Sequence, residues 1–217
     1  FFFQADDGIR ALVRSRGLGD VYKRQLIGGV GSANVIDFIT IATTGNAADF
    51  GDLTVARSGG AVGPLGNATR GIFVSGYSGG DLNVLDFVTM ATTGNASDFG
   101  DLTTARSSGT GVSSGIRAVA IGGVGSPAIL NTMDFVTIAT TGNATDFGDN
   151  TFLLRSMGAC TNSLRAVYGG GNDPSATLNT MSYVTIATQG NGQDFGDLLT
   201  GRSVHACGSS DSHGGLS

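Results

Sequence analysis

Apolar and polar residues between positions 26 and 217 recur in a fixed order, and the clearest stretch of that order reads as a β-strand. Thr132-Met133-Asp134-Phe135-Val136-Thr137-Ile138-Ala139-Thr140 is rich in β-branched and aromatic residues, which fit a pleated, packed surface. Side chains alternate across a strand. One face of this run and its counterparts therefore carries Ile36, Leu85, Met133 and Met181, then Phe38, Phe87, Phe135 and Tyr183. The other carries Ile39, Val88, Val136 and Val184, then Ile41, Met90, Ile138 and Ile186. Both faces are apolar, so both are predicted to be buried. Another strand is expected at 117–123, where apolar residues run into Gly122-Gly123, and a third at 146–153, ending at Arg155. Between the last two, Thr141-Gly142-Asn143-Ala144 supplies turn chemistry, because Gly and Asn tolerate the positive φ of a tight turn. The small-residue stretch after the arginine is the weakest of four strand candidates.

The order is a repeat. Asp-Phe-Gly-Asp begins at Asp49, Asp98, Asp146 and Asp194, with spacings of 49, 48 and 48 residues, so residues 26–217 make up four units of about 48. An all-β sheet of four short strands, covered on both sides and recurring at this period, describes a propeller blade packed between its neighbours. A parallel β-helix usually has a shorter coil, and a sandwich would not repeat itself so closely.

Composition agrees with a turn-rich all-β chain. There are 37 glycines in 217 residues, and charged residues make up 13%, against about 25% in an average domain. The formal charge is −5 and the repeats hold no basic cluster, so the footprint of a nucleic-acid binder is missing. No apolar run approaches the ~18–20 residues of a membrane span. Cys160 and Cys207 each follow a repeat arginine by five positions. They read as equivalent, buried small residues in the places of Val62 and Gly111, since free Cys packs as a small hydrophobe.

Residues 1–25 stand apart. They hold Lys23 and four of the eleven arginines, whereas from Leu26 onward the chain has seven Arg, fourteen Asp and neither Lys nor Glu. The run from Ser15 to Gln25 resembles a transposon sequencing adapter translated in frame, and that from Phe3 to Arg10 resembles the adjoining primer. The domain expectation is therefore a non-native segment at 1–25, outside the fold, and one four-repeat domain at 26–217.

The units resemble the kelch repeat, in which Gly-Gly follows an apolar strand, two aromatics follow in turn, and an arginine closes the blade. Gly122-Gly123, Phe135, Phe147 and Arg155 take those places in the third unit, and Gly169-Gly170, Tyr183, Phe195 and Arg202 in the fourth. Arg202-Ser203-Val204-His205-Ala206 keeps the family's spacing of a basic residue and a histidine. Phe stands where kelch repeats commonly have Trp, and the second unit has Ser75-Gly76 for Gly-Gly. The resemblance implies a kelch-like β-propeller, complete in four blades or a fragment of a larger one. The Thr-Thr-Gly-Asn-Ala-x-Asp-Phe-Gly-Asp-Leu wording also resembles repeats in structural proteins of marine tailed phages.

Candidate chemistry is sparse. Asp-Phe-Gly is a kinase element, but a kinase also needs a strand lysine and a catalytic loop, and the repeats contain no lysine. Asn46, Asp49 and Asp52, echoed in later units, could present oxygens to Ca²⁺; the plainer reading is that Asn and Asp cap turns through their own backbone. The histidines, His205 and His213, form no constellation with a nucleophile. Arg57, Arg106, Arg155 and Arg202, with Arg70, Arg117 and Arg165, would either pair with repeated aspartates and backbone carbonyls between blades or line a channel for an anionic or sugar ligand.

Loops after the Gly pairs, at 30–33, 77–82, 124–130 and 171–178, vary in length and wording while the strands stay constant. Repeat proteins place insertions on one face, often the binding face. Tyr77, Asn172 and Asp173 are the side chains there best suited to stack on or hydrogen-bond a glycan or protein. The expected function is a non-enzymatic binding or structural module at a virion or extracellular surface, with no catalytic residues, metal or cofactor. The alternative is a fragment of a galactose-oxidase-like or polysaccharide-processing enzyme whose catalytic residues lie elsewhere.

Overall fold

A computed structural model describes residues 23–27, 33–40, 43–60 and 65–203. Most of the segment 1–25, most of the loop 30–33, and His205, Cys207 and His213 lie outside the described residues. The described part is strand and turn, in four antiparallel sheets. The first comprises β1 (Lys23–Ile27), β2 (Ala33–Thr40) and β3 (Ala48–Arg57); the second β4 (Arg70–Tyr77), β5 (Asp81–Thr89) and β6 (Ser97–Arg106). The third is the meander β7 (Thr110–Ser113), β8 (Arg117–Gly125), β9 (Ala128–Thr137) and β10 (Thr145–Asp149). The fourth is the meander β11 (Gly158–Thr161), β12 (Arg165–Gly169), β13 (Thr180–Thr185) and β14 (Gln193–Asp197).

The small-residue stretch after the arginine is a strand in the third and fourth sheets, where it forms the edge β7 or β11 beside the next strand of the chain. β1 starts at Lys23, so Lys23, Arg24 and Gln25 pair with Thr40, Ile39 and Phe38. The sheet thus begins three residues before the boundary read from composition.

Successive sheets stack through the two apolar faces of each repeat. Ile36, Phe50 and Leu53 of the first sheet pack with Phe73 and Val88 of the second. Ile72, Val74, Leu85, Phe99 and Leu102 of the second pack with Ala118, Ala120, Val136 and Ile138 of the third. Val119, Ile121, Met133 and Phe147 of the third pack with Ala166, Tyr168, Val184 and Ile186 of the fourth. Within each sheet the two repeat aromatics meet edge to face, as Phe87 and Phe99 do at 5.8 Å, a geometry that aromatic quadrupoles favour.

A backbone latch repeats at each interface. The Gly94 and Ala96 N–H groups donate to the Phe50 and Asp52 carbonyls at 2.7 and 2.8 Å. Gly142 and Ala144 do the same to Phe99 and Asp101, and Gly190 and Gly192 to Phe147 and Asp149. The side-chain oxygen of the turn asparagine completes each latch: Asn95 accepts from Asp52 N–H at 3.1 Å, Asn143 from Asp101 at 3.1 Å and Asn191 from Asp149 at 3.0 Å. The approach demands glycine. A Cβ at Gly51, Gly100 or Gly148 would lie 2.4, 2.5 or 2.7 Å from the glycine carbonyl of the next turn. Each aspartate before these glycines accepts its own N–H two residues on, from Asp49–Gly51 to Asp194–Gly196. The Asx-turn role therefore holds for Asp. The asparagine instead reaches across to the preceding sheet.

The third interface is built differently. Asn150 stands where Leu53 and Leu102 stand earlier, and its buried Oδ1 accepts from the Tyr168 hydroxyl at 3.0 Å. Its Nδ2 donates to the Phe152 carbonyl at 2.9 Å. β10 stops at Asp149 and does not reach 153 as the pattern predicts, and β14 stops at the equivalent Asp197. The Tyr168 phenol also explains why Gly192 replaces the alanine of the other turns: a Cβ there would lie 2.4 Å from its oxygen.

Cys160 is exposed, contrary to the buried reading. It pairs with Val167 as Val112 pairs with Val119, so its counterpart is Val112, not Gly111. Val112 is covered by the following sheet, whereas the fourth sheet has none after it among the described residues. Phe147→Ala should therefore cost about 3–5 kcal/mol in chemical denaturation, as a buried ring in a stacked interface. Phe195→Ala, at the same repeat position but 50% exposed, should cost about 1 kcal/mol or less.

Candidate functional site

The three rim residues follow from strand register. The Tyr77 backbone exchanges both hydrogen bonds with Ser58, Val124 with Ser107, and Asn172 with Arg155. Tyr77, Val124 and Asn172 are thus equivalent positions in three successive sheets. Each lies just past a left-handed pair, Ser75-Gly76, Gly122-Gly123 or Gly170-Gly171. The fourth unit's pair is thereby Gly170-Gly171, one residue later than the pair read from the sequence.

The expected loops are largely strand. β4 and β5 pair as far as Tyr77 with Asp81, and β8 and β9 as far as Gly125 with Ala128. Only Ser78–Gly80 and Ser126-Pro127 remain as tips. In the fourth sheet Asn172 bridges Thr177, leaving a tip at 173–176. The third hairpin lengthens by one further ladder pair and the fourth by a longer tip.

Asn172 and Asp173 come together in one tip, and Tyr77 lies two sheets away. Asp173 Oδ1 accepts the N–H groups of Ser175 and Ala176, both at 2.6 Å, and the Ser175 hydroxyl at 2.9 Å. The two backbone donors, chiefly, hold its carboxyl below the usual range. A depressed pKa stabilises the turn above the unfolded value, and that contribution is lost as pH falls through the folded one. Asn172 Oδ1 accepts from the Thr177 hydroxyl at 2.9 Å. Tyr77, 48% exposed, offers a ring face for stacking.

Asp81 is a rim residue that the sequence reading missed. It accepts from Ser107 Oγ at 2.7 Å and from Ser126 N–H at 2.8 Å, tying the second hairpin to the third. It has no acidic counterpart in the other units, so no repeat signal marked it.

Of the repeat arginines, Arg57 and Arg106 are structural. Arg57 pairs with Asp86 of the following sheet, and Arg106 Nη2 with Asp134 at 2.8 Å, with the side chains almost wholly buried. Thr54 and Thr103 hydroxyls donate to the same carboxylates. Burial lowers both guanidinium pKa values, and the adjacent carboxylate opposes the shift. Arg155 does not belong to this series. Its bridge to Asn172 matches that of Ser107 to Val124, so Leu154, buried at 1%, takes the arginine position. Ser182 replaces the aspartate. Arginine and aspartate have left that interface together, so neither charge is stranded. Arg70 and Arg117 stack on Phe87 and Phe135 at 4.6 and 4.7 Å, and each donates to a carbonyl of the following sheet.

The chain matches no protein-family model and no curated protein. Among the described residues no group of three His, Cys, Asp or Glu side chains is placed to hold a metal ion. No described helix is long and apolar enough to cross a membrane.

Two measurements test this assignment of charges. Arg106→Leu alone should cost about 3–5 kcal/mol by stranding Asp134, and adding Asp134→Ser should recover most of that loss in urea denaturation. Since the first carboxylate of each Asp-Phe-Gly-Asp bonds its own backbone, EDTA should leave Tm unchanged. A fall in Tm that Ca²⁺ restores would contradict the Asx-turn assignment.

Proposed function

We propose that the chain is a kelch-like β-propeller module without catalytic activity, that it serves at a virion or extracellular surface, and that its hairpin rim recognises glycan or protein. The propeller is supported by four-stranded meanders stacked in chain order and by the small residues on their first strands. There the Ser113 hydroxyl donates to Gly66 O at 2.9 Å and the Thr161 hydroxyl to Ser113 O at 3.2 Å, so neighbouring sheets approach closely at that edge. The virion setting rests on the resemblance of the repeat wording to tailed-phage structural proteins.

The observation that carries the binding reading is a contrast within one molecule. The latch residues are nearly invariant from unit to unit, whereas the equivalent hairpins differ in length, in tip sequence and in the residue at the Tyr77 position. Loops on a rigid scaffold tolerate such change and commonly carry recognition. Tyr77, Asn172 and Asp173 supply an aromatic face, an amide donor and a carboxylate, the groups that hold sugar rings and peptides.

A glycan array and a host-cell binding assay test the reading. Replacing tip 173–176 with Ser78-Gly79-Gly80, or making Tyr77→Ala, should preserve Tm and weaken binding by about tenfold or more, a loss of about 1.4 kcal/mol. If neither change matters while Ile116→Ser or Leu164→Ser at the opposite strand ends abolishes binding, the rim assignment is wrong.

A further inference from the structure

We propose that the outward face of the fourth sheet is a self-association surface whose occupant is the first sheet of a second copy of this chain, docked head to tail. The inference does not depend on rim recognition. Its basis is continuity: three successive interfaces share one backbone latch between complementary surfaces, two of them with a buried ion pair, and each end of the described stack displays one half of that arrangement.

The fourth sheet carries the socket. Phe195 is 50% exposed, whereas Phe50, Phe99 and Phe147 are each 2% exposed. Leu199 is fully exposed, at 105%, and Cys160 is exposed where Val112 is covered. Gly196 keeps the left-handed backbone of its counterparts, with φ +124°, yet a Cβ there would meet nothing within 4 Å. At Gly51, Gly100 and Gly148 the same backbone is what admits the next turn. Arg202, in the register of Arg57 and Arg106, is exposed.

The first sheet carries the plug. Asp37 occupies the position of Asp86 and Asp134 but has no ion-pair partner among the described residues. Ile39 is only partly buried, while Val88, Val136 and Val184 are 2%, 7% and 3% exposed. The turn Gly45-Asn46-Ala47 is exposed, with no described sheet before it.

Joined as the internal interfaces are, the Gly45 and Ala47 N–H groups donate to the Phe195 and Asp197 carbonyls. Asp197 N–H donates to Asn46 Oδ1, and Arg202 pairs with Asp37. Leu199, where Thr54 and Thr103 stand in earlier units, adds apolar area beside the ion pair. Any other partner would have to match two carbonyls, an amide, a guanidinium and an apolar patch in an arrangement the first sheet already possesses. The contact is heterologous, so repetition gives a closed ring if the rotation closes and an open assembly if it does not.

Sedimentation of the full chain from about 1 µM to about 1 mM tests the proposal, a range that brackets dissociation constants from about 1 µM to about 1 mM. The average mass should rise above the 21.8 kDa of one chain. Asp37→Arg and Arg202→Asp should each weaken association at least about tenfold, and an equimolar mixture should restore it, because each variant then offers the charge the other lacks. Circular dichroism verifies that each variant keeps its strands, and Leu199→Lys, at a fully exposed position, should give the same loss independently. A wild-type chain that stays at 21.8 kDa throughout would overturn the proposal, whether its face is then covered from within the same chain or left bare. Association that all three substitutions leave unchanged would overturn it equally.

Discussion

The stack depends on glycine meeting glycine. At each of the three interfaces the backbone of an Asp-Phe-Gly-Asp strand and the backbone of the next Thr-Gly-Asn or Gln-Gly-Asn turn approach until a single Cβ would collide with a carbonyl. That closeness lets two main-chain hydrogen bonds and one asparagine bond form across each interface, each adding about 1 kcal/mol net. It also sets the distance between sheets, and with it the depth of the apolar layers. The phenylalanine beside each glycine is buried because the glycine draws the next sheet over it.

Within that fixed geometry the interfaces differ in how they treat polarity. The first two bury an arginine–aspartate pair supported by a threonine hydroxyl. The third has Leu154 and Ser182 at those positions and places a tyrosine–asparagine bond elsewhere in the layer. Buried ion pairs contribute little over apolar replacements, while a half-removed pair is costly. Both solutions are therefore stable and the intermediates between them are not. Gly192 follows the same rule, since the Tyr168 phenol fills the space an alanine methyl would need.

Much of this was legible before any coordinates. Strand periodicity is local, so the two-sided burial of Leu85 and Val88 could be read from alternation, and the Thr-Gly-Asn turns from their chemistry. The aspartate Asx turns were legible for the same reason, spanning two residues. Readings that counted along the chain from an arginine drifted by one. Arg155 is adjacent to the place its repeat predicts, and Cys160 is offset with it, on a face that no described sheet covers. Tyr77, Asn172 and Asp173 lie on the hairpins that follow the glycine pairs, and in the second and third of these the loop is shorter than its wording suggests, because the ladder continues through residues without strand-like composition.

The sequence by itself determined the all-β class, the 48-residue period, the apolar faces and the turn positions, because each depends on neighbours within a few residues. Only the tertiary structure decided which groups meet between sheets. Arg106 and Asp134 are 28 residues apart, Asn143 and Asp101 are 42 apart, and no local pattern links them. Exposure at the two ends of the described stack was likewise invisible, because Phe195 sits in the same Asp-Phe-Gly-Asp motif as its buried counterparts and differs in having no sheet laid against it among the described residues.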